Sequence, residues 1–228
     1  GRYSRPMEIS GTTRLVGILG WPVEHSLSPR MQNAALAALG LDWTYVPLPT
    51  PPDRLAEAVR GLAALGFAGA NVTTPHKVAV TELCETDVPS VNTLVLRDGV
   101  VEGRSTDAAI LGGLAAESPV LLGDGGAAIA FLDALPHARR FSRRGEWPPD
   151  VSGADLVVNA TSASLRGEVP LIPIDVVDGL TTCYDMAYGV GDTAFMIWAK
   201  RLGAGRAEQG WGMLVEQAAE AFFLWRGV

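Results

Sequence analysis

Proton transfer and polar recognition need amines, carboxylates, hydroxyls and amides, and this 228-residue sequence groups them at a few places. Asn71-Val72-Thr73-Thr74-Pro75-His76-Lys77 sets an amide, two hydroxyls and an amine close together. His25-Ser26-Leu27-Ser28-Pro29 offers two serine hydroxyls two positions apart. Asp107 closes the run Gly103-Arg104-Ser105-Thr106-Asp107. A lysine and an aspartate in one cleft make an acid/base pair. The lysine would then need a pKa below its reference of ~10.4 to act as a base near neutrality. Taken singly, each residue also has a plainer reading. Ser28 is placed to cap a helix and Thr73 to be a strand hydroxyl. Lys77 reads as a solvent-facing lysine in a helix's first turn, and Asp107 as an N-cap. A first-turn lysine faces the positive end of the helix dipole, and Asp107 is its candidate compensator.

A second constellation lies further on. Gly123-Asp124-Gly125-Gly126 follows an apolar run and opens a helix. Glycines let a backbone approach a dinucleotide pyrophosphate, and a helix N-terminus offers N–H groups and partial positive charge. The spacing is G-x-G-G rather than G-x-G-x-x-G, so a tight strand-to-helix turn explains it as well. Asp124 adds a negative charge close to where phosphates would sit. Ser142-Arg143-Arg144 ends the next strand. Arginines there suit the 2′-phosphate of NADP, where an acidic residue would suit the ribose of NAD. Solvated surface charge is the plainer account of the pair.

The elements that must position these groups alternate between strand and helix. Leu15 to Leu19 is a short apolar run stopped by Gly20, a buried strand. Ser28-Pro29 starts a helix with Met31, Ala35 and Leu39 on one face at a spacing of four, ending at Gly40. Trp43 to Pro47 is a strand. Leu55, Val59, Leu62 and Leu65 mark a helix, and Ala68 to Val72 a strand. Val91 to Leu96 and Val100 to Glu102 flank Arg97-Asp98-Gly99, a hairpin signal. A helix through Ile110 and Leu114 follows Asp107. The alternation then restarts, with strands at Pro119 to Leu122, Ala138 to Phe141, Asp155 to Asn159 and Thr182 to Met186. Helices are expected at Ala127 to Leu135, Thr193 to Leu202 and Met213 to Trp225. This pattern predicts an α/β fold, with parallel sheets covered by helices and a domain boundary near Asp107.

Composition sets the class. The chain is 48% hydrophobic and 19% charged, enough for a sizeable core, and its net charge of -7 argues against nucleic-acid or anionic-membrane partners. Cys84 and Cys183 form no CxxC and no metal-type cluster with His25, His76 and His137, so no metal is expected and the thiols read as free in a reducing cytoplasm. No run approaches the ~20 apolar residues of a membrane span, and no secretory signal pattern is seen. Residues 1–6 precede a Met7 that reads as the natural start, and they are set aside.

Together the motifs resemble the shikimate dehydrogenase family from Leu15 to Gly227. The serine pair Ser26 and Ser28, the Asn71-to-Lys77 signature, Val91-Asn92-Thr93 and Thr106-Asp107 are similar to the family's elements. So are Tyr184-Asp185-Met186-Ala187-Tyr188 and Gly210-Trp211-Gly212-Met213-Leu214-Val215-Glu216-Gln217-Ala218. The resemblance implies an N-terminal substrate domain, residues 7–107 completed by 208–228, and a Rossmann-like NADP domain, residues 108–207. It implies NADP-dependent, reversible reduction of 3-dehydroshikimate to shikimate in aromatic amino-acid biosynthesis, by a monomer or homodimer. Lys77 and Asp107 would manage the proton. Ser26 and Ser28, helped by Tyr188, would hold the carboxylate, and Asn71, Thr73, Asn92, Asp107 and Gln217 would read the hydroxyls. Gly123, Gly125, Gly126, Ser142, Arg143, Arg144, Thr161, Gly210 and Met213 would serve the cofactor.

The departures from the family pattern cluster on the cofactor side. Ser105 stands where asparagine is usual. The stretches from Lys77 to Asn92 and from Arg144 to Asn159 are short, and Tyr188 is followed by Gly189-Val190 where a proline is common. Two other readings remain open: a quinate/shikimate dehydrogenase using NAD, or a shikimate-binding regulatory protein whose cofactor binding is weakened by Asp124 and the short second domain.

Overall fold

The computed structural model describes residues 9–107, 116–172 and 177–226. The helix expected through Ile110 and Leu114 lies outside them. The chain divides into two compact units, one formed by Gly1–Thr106 with Ala218–Val228 and the other by Asp107–Gln217.

The first unit is built on a five-stranded sheet of order β2-β1-β3-β4-β5. Its strands are β1 (Arg14–Gly20), β2 (Trp43–Pro49), β3 (Gly69–Val72), β4 (Thr93–Arg97) and β5 (Val100–Arg104). β1 runs parallel to β2 and to β3, while β4 and β5 complete the sheet antiparallel. Asp98 and Gly99 make the two-residue hairpin turn with φ of 51° and 80°, the left-handed pair that matches strand twist. Side chains alternate between two cores, as a pleat requires. Leu19, Ala70, Val72, Leu94 and Leu96 face helix α2 (Leu55–Ala64) through Leu55, Val59 and Leu62. Val16, Ile18, Ala68 and Val95 face the opposite way, with Leu36 of helix α1 (Ser28–Ala38) and with Ala221 and Trp225.

Helix α1 corrects two expectations. Its buried residues are Gln32 and Leu36, whereas Leu39 is 57% exposed. The alanines on either side of Leu36 make several faces look equally apolar. The choice falls to Gln32, whose Nε2 donates to the Ala218 carbonyl at 3.2 Å. Ser28 is also not the cap: the helix already includes it, Leu27 occupies the N-cap, and no side chain caps the first turn.

The second unit carries an all-parallel sheet of order β10-β9-β8-β6-β7. The strands are β6 (Pro119–Leu122), β7 (Arg139–Phe141), β8 (Leu156–Asn159), β9 (Thr182–Asp185) and β10 (Arg206–Gln209). Helix α3 (Gly126–Ala134) joins β6 to β7, and α4 (Ala194–Leu202) joins β9 to β10. Thr193 caps α4 by accepting from the Met196 N–H, and Gly203 ends it at φ 86°. From β7 the chain crosses to the far side of β6 through residues 142–155 with no helix and no strand. Val151 and Ala154 from that loop, with Trp147 beside them, fill the core where a crossover helix usually lies. The other face packs Leu121, Ala128, Phe131, Val158 and Tyr184 around Met213 from helix α5 (Trp211–Arg226).

Candidate active site

In both sheets the chain runs one way from the first strand and then the other, leaving a crevice at the strands' carboxyl ends. In the first unit this switch lies between β1 and β3. The loops that leave those ends are stitched together: Thr73 N–H donates to the Leu19 carbonyl at 2.9 Å and Trp21 N–H to the Thr74 carbonyl at 3.1 Å. A Cβ on Gly20 would lie 2.5 Å from Thr73 Cγ2, so any larger residue there would displace the Thr73 side chain. The serine pair follows β1, with the Ser28 N–H donating to Ser26 Oγ at 3.3 Å. Thr73 and Lys77 follow β3. Ser26, Ser28, Thr73 and Lys77 thus all follow the carboxyl ends of the adjacent strands β1 and β3.

Lys77 is half-buried and is not in an α-helix. It precedes a five-residue 3-10 stretch, Ala79–Leu83, so the dipole argument made for a helical first turn lapses. What places Lys77 is its neighbour. His76 is buried at 1% exposure, and its Nε2 lies 2.8 Å from the Thr50 carbonyl. A carbonyl only accepts, so Nε2 carries the proton and donates. The His76 N–H donates to the Thr73 carbonyl and the Val91 N–H to the Lys77 carbonyl, fixing the backbone on both sides of the amine. The motif pointed to His76 only by position; its anchoring role depends on a strand end 26 residues away.

Asn71 and Asn92 are engaged by the protein itself. Asn71 Oδ1 accepts from Tyr45 Oη at 2.8 Å, and Asn71 Nδ2 donates to Thr93 Oγ1 at 3.1 Å. Asn92 Nδ2 donates to Thr106 Oγ1 at 2.9 Å, and Asn92 Oδ1 accepts from the Thr106 N–H at 2.8 Å. Asn92 thus fixes the backbone immediately before Asp107. Beside it, Ser105 keeps a buried Oγ with no hydrogen-bond partner among the described residues.

In the second unit the switch lies at β6, between β7 and β8. Gly123 sits at φ 126°, and a Cβ on it would come 2.9 Å from the Ala160 carbonyl oxygen. That glycine is demanded by the fold. Gly125 is different: a Cβ there meets nothing within 4 Å. It is the N-cap of α3 with no side chain closing the helix end, an open approach that suits a phosphate-bearing cofactor. Asp124 does not face the approach unpaired; its Oδ2 lies 3.8 Å from Nη1 of Arg144. Arg143 and Arg144 are exposed and Ser142 half-buried, next to that turn.

Behind the turn lies a buried network whose individual residues gave little warning. Asp185 is 0% exposed and accepts from Thr193 Oγ1 and Ser164 Oγ at 2.6 Å each, from Asn159 Nδ2 at 3.1 Å and from the Ala187 N–H at 3.1 Å. Burial pushes its carboxyl pKa up, and the donated hydrogen bonds of Ser164, Thr193, Ala187 and Asn159 pull it back. Asn159 Oδ1 accepts from Thr161 Oγ1 at 2.7 Å and from its N–H at 3.1 Å. Thr161 is therefore held from the end of β8. Asp107 is 0% exposed, and its Oδ1 accepts from Gln217 Nε2 at 2.6 Å. Gly210 is needed where it stands, since a Cβ would lie 2.5 Å from the Met186 carbonyl oxygen. Met213 is 4% exposed and packs in the core. Tyr188 is half-buried, and burial raises its pKa. Among the described residues no group of three or more His, Cys, Asp or Glu is placed to hold a metal.

Residues 18–94 match the model of the shikimate dehydrogenase substrate binding domain, and residues 210–228 that of the shikimate 5'-dehydrogenase C-terminal domain. A shikimate dehydrogenase (NADP(+)) of Geobacter sp. (strain M21) is 36% identical over 269 residues, covering 97% of this chain and 92% of the relative. The chain belongs to the shikimate dehydrogenase family. A shikimate dehydrogenase (NADP(+)) of Anaeromyxobacter sp. (strain Fw109-5) is 40% identical, with 96% and 93% covered. Among solved structures, shikimate dehydrogenase from Aquifex aeolicus superposes with a TM-score of 0.86 at 30% identity, covering 97% of this chain and 95% of that one. The Thermus thermophilus shikimate 5-dehydrogenase in complex with NADP(H) and shikimate gives 0.82 at 29% identity, with 94% of each chain covered. Within the family this chain is short. The 269 aligned positions of the Geobacter relative exceed its 228 residues, so at least 41 have no counterpart here.

Proposed function

We propose that this chain catalyses the NADP-dependent, reversible interconversion of 3-dehydroshikimate and shikimate. The observation that carries the reading is the placement of the motif residues at the switch points of two sheets, in a chain whose relatives of 36–40% identity over nearly full length are NADP-dependent shikimate dehydrogenases. Substrate recognition falls mainly to residues 7–107 with 208–228, and nucleotide binding mainly to residues 108–207.

Ser26 and Ser28 hold the substrate carboxylate with help from Tyr188. Thr73 and Gln217 read ring hydroxyls. Asn71 and Asn92 serve by holding β3, β4 and Thr106 in register as much as by touching ligand. A polyol needs so many partners because each buried polar group left unmet costs roughly 1–3 kcal/mol. Gly123, Gly125 and Gly126 would hold the nucleotide's phosphates, Ser142, Arg143 and Arg144 its 2′-phosphate, and Thr161 and Gly210 the rest of the cofactor, with Met213 packed in the core behind them. NADPH, when bound, supplies the hydride. Lys77 delivers the proton to the carbonyl oxygen during reduction and takes it back during oxidation. Asp107, dry and held by Gln217, is the carboxylate that would share that exchange.

Lys77→Ala and Asp107→Asn are expected to cut turnover by roughly two to four orders of magnitude, the range of positioned acid/base groups, with thermal stability nearly unchanged because the asparagine keeps an acceptor for the Gln217 amide. Initial rates with shikimate and NADP test this, and wild-type rates in both variants would end the proposal.

A further inference from the structure

The segment Ala187-Tyr188-Gly189-Val190-Gly191 joins β9 to the cap of α4 and contains nothing that stiffens a backbone. It has two glycines, one at φ 84°, a fully exposed Val190, and no proline after Tyr188. Such a segment surrenders much conformational entropy when ordered. Yet its polar backbone is held from the end of β10. The Gly189 N–H donates to Gln209 Oε1 at 3.0 Å, and Gln209 Nε2 donates to the Gly191 carbonyl at 3.0 Å. Trp211 Nε1 donates to the Gly189 carbonyl at 3.1 Å, and the Gly210 N–H donates to the Ala187 carbonyl at 3.0 Å. The Trp211 ring also lies against Tyr188, with centroids 5.0 Å apart and planes tilted by 43°. Both backbone groups of Gly189 are thus met by side chains on either side of Gly210, which must itself be glycine to fit under Met186.

We propose that Gln209 and Trp211 are positioning residues for Tyr188, setting its ring for the substrate by side-chain hydrogen bonds and aromatic packing where a proline would do so by its fixed φ. The inference rests on Tyr188 facing the substrate. Steady-state kinetics of Tyr188→Ala, Trp211→Leu, Trp211→Phe, Gln209→Ala and the Tyr188→Ala/Trp211→Leu double variant test it. Trp211→Leu is expected to raise the KM for shikimate about tenfold, the scale of one ordinary hydrogen bond plus a ring contact. The KM for NADP should move less than about twofold. Trp211→Phe should recover part of the loss, because it keeps an aromatic ring beside Tyr188 while lacking the indole N–H. In the Tyr188→Ala background Trp211→Leu should be nearly silent, since residues acting as a unit are not additive. Additive losses, or equal shifts in both KM values, overturn the proposal by making Trp211 a general structural residue. A raised shikimate KM in Tyr188→Ala beside an unchanged one in Trp211→Leu and Gln209→Ala removes the positioning role alone. An unchanged shikimate KM in Tyr188→Ala removes the substrate assignment of Tyr188 and this inference with it.

Discussion

Asp124 sets a carboxylate in the turn proposed to receive phosphates, 3.8 Å from Arg144. The Arg144 side chain is 88% exposed, so the pair is loosely held and weakens as salt rises. A 2′-phosphate arriving at Arg144 competes with Asp124 for the guanidinium. Asp124→Asn is therefore expected to tighten binding of 2′,5′-ADP by about threefold to tenfold at low salt, and 5′-AMP by less. Titration calorimetry on both ligands checks this, with Arg144→Ala cancelling the gain; unchanged affinity for 2′,5′-ADP would refute it. At this scale the sequence shows which chemical groups lie close together along the chain, as in Asn71 to Lys77. It is silent where a role depends on distant partners. His76 anchors to Thr50, and Gln217 reaches Asp107 across 110 positions.

Elements were legible where burial leaves an apolar run, as in β1, β6 and β8. β10 was not, because Arg206-Ala207-Glu208-Gln209 is a polar, half-exposed edge strand that only the β9 ladder reveals. The face of α1 was misjudged because a polar residue, Gln32, is buried there for its hydrogen bond. The same dependence on tertiary partners governs the Asp185 hub, which ties the loop after β8, the loop after β9 and the cap of α4 together. Asp185→Ala strands several buried donors and is expected to cost about 2–5 kcal/mol of stability. Asp185→Asn keeps one acceptor for the Asn159 amide and the Ala187 N–H, and the hydroxyls of Ser164 and Thr193 can rotate to accept from its amide. It should cost far less. Thermal denaturation of both variants decides the matter, and equal losses would argue against the hub.

At the scale of the whole molecule, the restart of the strand–helix alternation near Asp107 was visible in sequence. Return of the last helix to the first unit has no local signature; it follows from Ala221 and Trp225 completing a core begun by Val16, with the Trp225 indole N–H donating to the Leu94 carbonyl at 2.9 Å. The second unit's core carries a pH dependence of its own. Burial pushes the Cys183 thiol from 9.0 up to about 12, and raises Tyr184 to about 12 as well. Both folded pKa values lie above their unfolded ones. Their contributions are therefore whole below about pH 9 and are lost as pH climbs toward the folded values. Urea unfolding above about pH 9 should show stability falling by up to ~1.4 kcal/mol per pH unit per group. Cys183→Ala should flatten the first part of that fall, and an identical slope in the variant would count against a buried neutral thiol.

Unit one is interrupted between Thr106 and Ala218 by the whole of unit two. During synthesis that order of assembly is forced by the genetic message. The strands β1 to β5 leave the ribosome first, but the core facing α1 lacks Ala221 and Trp225 until the final stretch emerges. The inserted unit, made of one continuous stretch, has all its residues sooner. The half of the protein that is translated first is thus the half that is completed last, and a released chain cut after Gln217 would show one protected unit and one with its Gly69 surface still waiting for the Trp225 indole.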